Sequence, residues 1–308
     1  MNENILVTGA SGFIGKHLVR KLIENKYKVI CFDLKFDNVF VAEFTGKLDM
    51  IQGNLLDTGM IKSLIRKYKP DYVFHLAGSK SRTNSLPEFK SSFEINYQGT
   101  LNLFEALLEC HNLKLVTILG TIEEYGHTIS PFGEESLELP NSAYGLSKLS
   151  ATKLALIFNR QFNLPVVVLR PSIAYGPEQG PEMFIPALIR SLLKKNDFKM
   201  TDGHQLRDFI YIDDLIEAML KALSCINLEG EILNIASGES IKLKDLALRV
   251  ADILIAKENL KIGELPYRKS EIMDYSVDIS KASRLLQWKP ITCFRDGLER
   301  TIYWYKYH

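Results

Sequence analysis

Along the first half of the chain, short apolar runs alternate with stretches whose apolar residues recur every three or four positions. Ile5-Leu6-Val7 is the first run, and Phe13, Ile14, Leu18, Leu22 and Ile23 then mark one face of a helix. Lys28–Asp33 predicts a second strand and Asp49–Gly53 a third, separated by a polar stretch without clear period from Lys35 to Lys47. Ile61, Leu64 and Ile65 predict the next helix, with Asp57 as its cap, and Lys69-Pro70-Asp71 ends it. A fourth strand follows at Tyr72–Ala77, in which His75 reads as a packed side chain with its polar atoms satisfied. A helix over Ser91–Leu108, a strand over Leu113–Leu119, a helix over Tyr144–Phe162 and a strand over Leu164–Leu169 continue the alternation. This order predicts an α/β fold: a doubly wound parallel sheet of the Rossmann type, covered on both faces. Its ligand crevice lies at the C-terminal ends of the strands.

Past Arg170 the pattern breaks. Pro171, Gly176, Pro177, Gly180, Pro181 and Pro186 punctuate a loop-rich region, followed by a helix from Pro186 to Lys195. Ile210–Ile212 and Ile232–Ile235 predict short strands around a helix that starts near Asp213-Asp214. Leu243–Ala256 and Ser280–Leu286 predict helices flanking a loop with Leu265-Pro266-Tyr267-Arg268. The division expected is a dinucleotide-binding domain of residues 1–169 with about 205–240. A smaller mixed α/β lobe takes about 170–204 and 241–308.

Between the first strand and first helix lies Gly9-Ala10-Ser11-Gly12-Phe13-Ile14-Gly15. Three glycines at this spacing let a diphosphate approach bare backbone, and the helix N-terminus adds unpaired N–H groups and partial positive charge. Glycines also serve ordinary turns, but here a second strand ends in Asp33 about twenty residues on, where a carboxylate holds a ribose 2′-hydroxyl. Asp57, besides capping, lies where a carboxylate can reach an adenine amino group.

Composition narrows the classes. In 308 residues, 38 Lys and Arg face 37 Asp and Glu, leaving a formal charge of +1, so neither nucleic acid nor an anionic membrane is expected as partner. Cys31, Cys110, Cys225 and Cys293 show no paired spacing and read as reduced thiols; no metal is expected. No signal-like N-terminus and no bilayer-length apolar run occurs, so the expected location is cytoplasmic.

The second chemical stretch is Ala143-Tyr144-Gly145-Leu146-Ser147-Lys148. A tyrosine and a lysine four apart share one face of a helix. A neighbouring ammonium favours phenolate and brings a phenol, whose ordinary pKa is about 10, toward the range where it exchanges protons. Such a pair also occurs on solvent-facing helices; the glycine turn upstream favours the catalytic reading.

With these stretches in place, the chain resembles the extended short-chain dehydrogenase/reductases, the group of nucleotide-sugar epimerases, dehydratases and reductases. The resemblance rests on TGASGFIG (Thr8–Gly15), FHLAG (Phe74–Gly78), NYQGT (Asn96–Thr100), YGLSK (Tyr144–Lys148), RPSIAYGP (Arg170–Pro177) and RDFIYIDD (Arg207–Asp214). It implies Tyr144 as acid/base, Lys148 as the residue that binds the nicotinamide ribose and tunes Tyr144, and Thr121 as hydrogen-bond partner of the reacting sugar oxygen. The dinucleotide would run along Gly9, Ser11, Gly12, Phe13, Ile14 and Gly15, past Asp33 and Lys35, then Asn54 and Leu55, Leu76, Ala77 and Gly78, and reach Tyr144, Lys148 and Pro171. Ser79, Thr121, Glu123, Tyr144, Arg207 and Arg268 would meet the sugar nucleotide, the two arginines clamping its diphosphate. For Arg268 a surface salt bridge is the alternative. Ile173 stands where many relatives carry Asn.

Family dehydratases usually read Thr-Asp-Glu before Tyr-Gly, whereas this chain reads Thr121-Ile122-Glu123-Glu124-Tyr125-Gly126. Ile122 moves no proton. Glu123 is left as an auxiliary acid, a hydroxyl acceptor or a local cap. The Glu-Glu-Tyr-Gly form, with Pro266-Tyr267-Arg268 and Glu271-Ile272-Met273, resembles reductases of nucleotide-linked 4-keto-6-deoxyhexoses. The alternatives are a 4-epimerase that keeps its NAD and a non-catalytic dinucleotide sensor. Asp33 predicts preference for NAD(H), and Lys35 leaves NADP(H) possible. The resemblance further implies a homodimer joined by a four-helix bundle from the two long helices.

Overall fold

The computed structural model describes residues 3–79, 85–268 and 271–308. Strands β1 (Asn4–Thr8), β2 (Lys28–Asp33), β3 (Asp49–Gln52), β4 (Tyr72–His75), β5 (Leu115–Leu119) and β6 (Val166–Pro171) lie in the order 3-2-1-4-5-6, all parallel. The strand residues alternate between two apolar cores. Ile5, Val7, Val29, Cys31, Val167 and Leu169 face one side, and Leu6, Ile30, Phe32, Val166 and Val168 the other. Helix α1 (Phe13–Glu24) seals the first side with Leu18, Val19 and Leu22. Helix α2 (Asn38–Phe44) adds Phe40 and Phe44 there. The second side is closed by α3 (Thr58–Tyr68), by the segment of α4 (Leu86–Phe93) and α5 (Gly99–Leu107), and by α6 (Ala143–Phe162). Each fully buried Leu, Val or Phe contributes about 1.5–3 kcal/mol, so these two layers dominate the fold's stability.

The strand after β6 leaves the sheet. β7 (Ile173–Tyr175) pairs with β9 (Leu206–Tyr211), after β8 (Phe198–Met200) has formed elsewhere. The chain rejoins the large sheet at β10 (Ile232–Ile235), parallel to β6. A smaller sheet combines β9 with β7, β11 (Ser240–Lys242) and, beyond β12 (Leu260–Ile262), β13 (Asp274–Tyr275). Helices α7 (Phe184–Leu193), α8 (Ile212–Ala222), α9 (Leu243–Ile253), α10 (Ser280–Leu285) and α11 (Phe294–Tyr307) complete the chain.

Several elements differ from the sequence pattern. The polar stretch from Lys35 to Lys47 holds α2, because Asp37 caps it (Oδ1 to Phe40 N–H, 2.7 Å) and Phe36, Phe40 and Phe44 stack at one-turn spacing with ring centroids 5.2 and 4.6 Å apart. The helix expected over Ser91–Leu108 starts at Leu86 and is interrupted by a π-turn at Glu94–Gln98. Strand β9 begins at Leu206, four residues before the apolar run. The polar pair at its start is buried: Asp208 accepts Ser172 Oγ, Ser237 N and Oγ and Gly238 N at 2.8–2.9 Å. The predicted strand at Tyr72–Ala77 stops at His75, and α11 has no counterpart in the expected elements.

Candidate active site

The glycine turn sits where the C-terminal ends of β1, β2 and β4 meet. Gly9 has φ +70°, and a Cβ there would lie 2.6 Å from Ala77 N. A Cβ on Gly15 would lie 2.2 Å from Gly9 O, so helix and turn touch backbone to backbone. Gly12, by contrast, is exposed at the N-terminus of α1 and leads into Phe13 and Ile14, whose first-turn N–H groups have no intrahelical acceptor. Asp33 Oδ2 accepts Ser11 N (2.8 Å) and Ser11 Oγ (2.9 Å), tying the end of β2 to the turn; Ser11 Oγ also reaches Lys35 O at 2.9 Å. Lys35 and Asn54 are exposed beside them, and Leu55 is buried, its C=O held by Asn102 Nδ2 at 2.9 Å. Leu76 and Ala77 hang from Thr8, through its O (3.1 Å) and its Oγ1 (3.3 Å). Pro171 is buried as the last residue of β6. The turn is thus a bare-backbone cradle, open at Gly12 and flanked by a carboxylate, and it fits a dinucleotide.

His75 lies under this cradle. Thr100 gives its one hydroxyl proton to Asn96 O (2.6 Å), so it accepts from His75 Nε2 at 2.9 Å, and Nδ1 takes the Thr8 hydroxyl proton at 2.7 Å. Burial, reinforced by the Lys148 charge, pushes this imidazole down to about 3, so it is a neutral structural bridge, as the sequence suggested.

The π-turn turns Asn96 inward. Its carboxamide brackets Ser79, accepting Ser79 N at 2.7 Å and donating to Ser79 O at 3.1 Å, and donates to Ser147 Oγ at 2.9 Å. Asn96 therefore ties the loop after β4 to the face of α6 that carries Tyr144 and Lys148. Sequence spacing noted this asparagine but gave it no task; only the π-turn, invisible in the pattern, aims it.

After β5, Thr121 caps a single 3₁₀ turn, Ile122–Glu124, its Oγ1 accepting Glu123 N at 3.3 Å. Ser142, which caps α6 by accepting Gly145 N (2.9 Å), donates to Glu123 Oε2 at 3.4 Å. The start of α6 thus packs on the Thr121 turn: a Cβ on Gly145 would lie 2.8 Å from Glu123 O. One turn further, Lys148 approaches Gly78, whose Cβ position lies 3.9 Å from Lys148 Nζ. Burial pulls the Lys148 ammonium down to about 8, and the Glu124 carboxylate opposes that shift. Ile122 is buried and Glu124 fully so. Tyr125 is no second acid, for burial holds its phenol up at about 12 and its OH donates to Asn234 Oδ1 at 2.7 Å.

Arg207, on β9, is also buried. Its guanidinium lies over the Tyr275 ring (4.7 Å), donates to Leu206 O (2.7 Å) and pairs with Glu271. Burial pulls it below its ordinary value against the pull of Glu271, Tyr275 and Glu123, which places Glu123 on the Arg207 side of the cleft. Arg268 is exposed in the loop after β12 and, among the described residues, is not joined to this cluster. Ile173 pairs with Phe209 in the small sheet. Tyr275 and Glu271, which flank Arg207, carried no assignment from sequence spacing.

The strand order and the glycine turn define a Rossmann-type α/β protein whose crevice is completed by a Tyr-x-x-x-Lys helix. The pattern of the NAD dependent epimerase/dehydratase family matches residues 5–236, and the chain belongs to that family, within the extended short-chain dehydrogenase/reductases. It is 33% identical over 310 residues to an uncharacterized UDP-glucose epimerase of Bacillus subtilis, covering 97% of this chain and 96% of the relative. It is 30% identical to a UDP-N-acetyl-alpha-D-glucosaminuronate decarboxylase of Bacillus cytotoxicus, over 99% of this chain and 98% of that one. Among solved structures, the UDP-glucuronic acid 4-epimerase of Bacillus cereus, in complex with UDP-glucuronic acid and NAD, superposes with a TM-score of 0.91 at 32% identity, covering 98% and 99%. No helix of the described residues is long and apolar enough to cross a membrane.

Proposed function

We propose that the chain is an NAD(H)-dependent enzyme that reduces the C4 ketone of a nucleotide-linked 4-keto-6-deoxyhexose, in a site built from Thr121, Tyr144 and Lys148. The observation that carries this reading is the packing of the Tyr144–Lys148 helix start directly on the Thr121 turn, beside the glycine cradle. Bound NADH supplies the hydride. Tyr144 gives its phenolic proton to the oxygen that gains charge at C4, and Thr121 Oγ1 donates a hydrogen bond to the same oxygen. Lys148 holds the nicotinamide ribose and favours the phenolate left behind. Asp33 takes the adenosine ribose, which disfavours a 2′-phosphate, while Lys35 leaves NADP(H) tolerated. Arg207, on its Tyr275 platform, binds the sugar-nucleotide diphosphate, with Ser79 and Glu123 lining the sugar and Arg268 available from the loop.

Elimination chemistry is disfavoured by buried Ile122 and by Glu124, which is committed to an internal ion pair (Arg170 Nη2 to Glu124 Oε2, 2.7 Å). A 4-epimerase is the second reading, favoured by the UDP-sugar epimerases among the relatives. The test is loss of reduced-nicotinamide absorbance with a panel of dTDP-, CDP- and GDP-linked 4-keto-6-deoxyhexoses. Stoichiometric oxidation abolished by Tyr144→Phe supports the reductase. Interconversion of UDP-hexoses by protein that retains NAD, without net oxidation, replaces it with the epimerase. A homodimer through α5 and α6 belongs to the same reading, supported by exposed Leu108, Leu146 and Ile157. A monomer in sedimentation at micromolar concentration refutes it.

A further inference from the structure

Beneath the Thr121 turn lies a chain of charges that the reaction above does not use. Glu124 and Arg170 are fully buried. Arg170 Nε donates to Glu124 Oε2 at 2.8 Å, and its Nη2 is shared between Glu124 (2.7 Å) and Glu138 Oε1 (2.8 Å). Glu138 pairs outward with half-exposed Lys153 at 2.7 Å, and the Arg170 guanidinium rests on the Tyr125 ring at 4.7 Å. The other oxygen of Glu124, Oε1, accepts the main-chain N–H of Thr121 at 2.9 Å. A Cβ on Gly120 would lie 2.5 Å from that oxygen, so the turn closes tightly over it.

A buried carboxylate is costly, and pairing with Arg170 offsets the cost without explaining its place under the cleft. An apolar residue would fill the same volume. What the carboxylate adds is a fixed charge and an acceptor at two functional positions. The groups that face Lys148 are Glu124 from the 3₁₀ turn, neutral His75 from β4 and Tyr144 from its own helix; Glu124 is the anion among those whose influence on Lys148 is resolved.

We propose that Glu124 is a positioning residue of the catalytic centre: one carboxylate oxygen fixes Thr121 through its N–H, and the charge, anchored by Arg170, faces Lys148 across the cleft floor. The proposal rests on the assignment of Tyr144, Lys148 and Thr121 given above. It makes Glu124 responsible for the protonation of Lys148 in a site that otherwise strips the ammonium of water.

The test reads Lys148 through cofactor binding and needs no sugar substrate. A lysine ammonium beside the nicotinamide ring weakens NAD⁺ relative to NADH, and the penalty disappears when the lysine loses its proton. The ratio of the NAD⁺ and NADH dissociation constants, measured on the full chain between about pH 6 and about pH 10, therefore passes through a midpoint set by Lys148. Glu124→Gln keeps the shape and the acceptor for Thr121 N–H but removes the charge, and the midpoint should fall by about one pH unit or more. Glu124→Asp restores the charge, and the midpoint should return toward that of the parent. A purely structural role weakens both cofactors alike and leaves the midpoint in place; that result overturns the proposal. Should Glu124→Gln fail to fold, Glu124→Gln with Arg170→Met removes both buried charges, and a midpoint equal to the parent's again refutes it. Lys148→Met abolishes the titration. If it does not, the assignment of Lys148 fails, and the proposal with it.

Discussion

The glycine turn gives the sharpest test of how the cradle works, because two of its glycines are constrained for different reasons. In Gly15→Ala the new methyl would sit 2.2 Å from Gly9 O and 2.6 Å from Ala10 O. Both neighbours are backbone and cannot rotate away, so helix α1 and the turn must separate by about 1 Å, a change of the kind that costs about 1–3 kcal/mol. At about 2–4 °C per kcal/mol for a chain of this size, a loss near 2 kcal/mol lowers the melting temperature of the cofactor-free protein by about 4–8 °C. The same displacement misaligns the first-turn N–H groups. Losing one charge-assisted hydrogen bond of about 1.5–3 kcal/mol raises the Kd for NADH at least about tenfold. In Gly12→Ala the methyl meets only Gly9 O, at 3.2 Å, and the local φ of −68° suits any residue. Its apo melting temperature should stay within a few degrees, about 1 kcal/mol or less, while its NADH affinity falls because the added methyl stands where a diphosphate would approach. Differential scanning calorimetry of the apo proteins and titration calorimetry with NADH separate the two effects. Gly15→Ala with parental stability and affinity, or Gly12→Ala destabilised as much as Gly15→Ala, would refute the reasoning.

Other expectations follow from single groups. Tyr144→Phe should lower kcat by at least about 10²-fold, the usual scale of a general acid, with NADH affinity changed little; unaltered turnover would remove Tyr144 from the chemistry. His75 is held neutral with its pKa pushed down from 6.5 to about 3 by burial. The unfolded chain binds this proton first, so stability contributed above pH 6.5 is lost progressively as pH falls toward 3. His75→Asn, which can still bond Thr8 and Thr100, should therefore lose less stability on acidification than the parent, as read from urea midpoints; an equal loss would assign the acid sensitivity elsewhere. Asp33→Asn keeps an acceptor for the Ser11 N–H but removes the charge, and should raise affinity for NADPH relative to NADH about tenfold or more. Parental selectivity in that variant would place discrimination outside Asp33.

The sequence made most of the nucleotide-binding half legible because each signal there is local. Three glycines, an apolar strand before them and a carboxylate at the end of the next strand occupy one continuous piece of chain. The smaller sheet was less legible for the opposite reason. β7, β11 and β13 are two or three residues long, and they become strands only because β9 pairs with them from elsewhere in the sequence. β9 itself is masked by Arg207 and Asp208, whose polarity argues against a buried strand until their partners on Glu271, Ser172 and Ser237 are seen. The same limit applies to Asn96, aimed by a π-turn that periodicity does not register.

The adjacent glutamates show most directly what folding adds. In sequence Glu123 and Glu124 are equivalent candidates for proton transfer. On a 3₁₀ turn successive side chains diverge by about 120°, so the two cannot share one environment. Arg170, fully buried, takes Glu124 inward, and Ser142 and the Arg207 side of the cleft receive Glu123. One carboxylate is thereby withdrawn from proton transfer, and Ile122 offers none. A reaction that needs two auxiliary acid/base groups beside the tyrosine is short by one, whereas hydride transfer at a single carbon needs Tyr144 alone. That asymmetry is why we place the chemistry at C4 and regard Glu123 as a sugar-facing group.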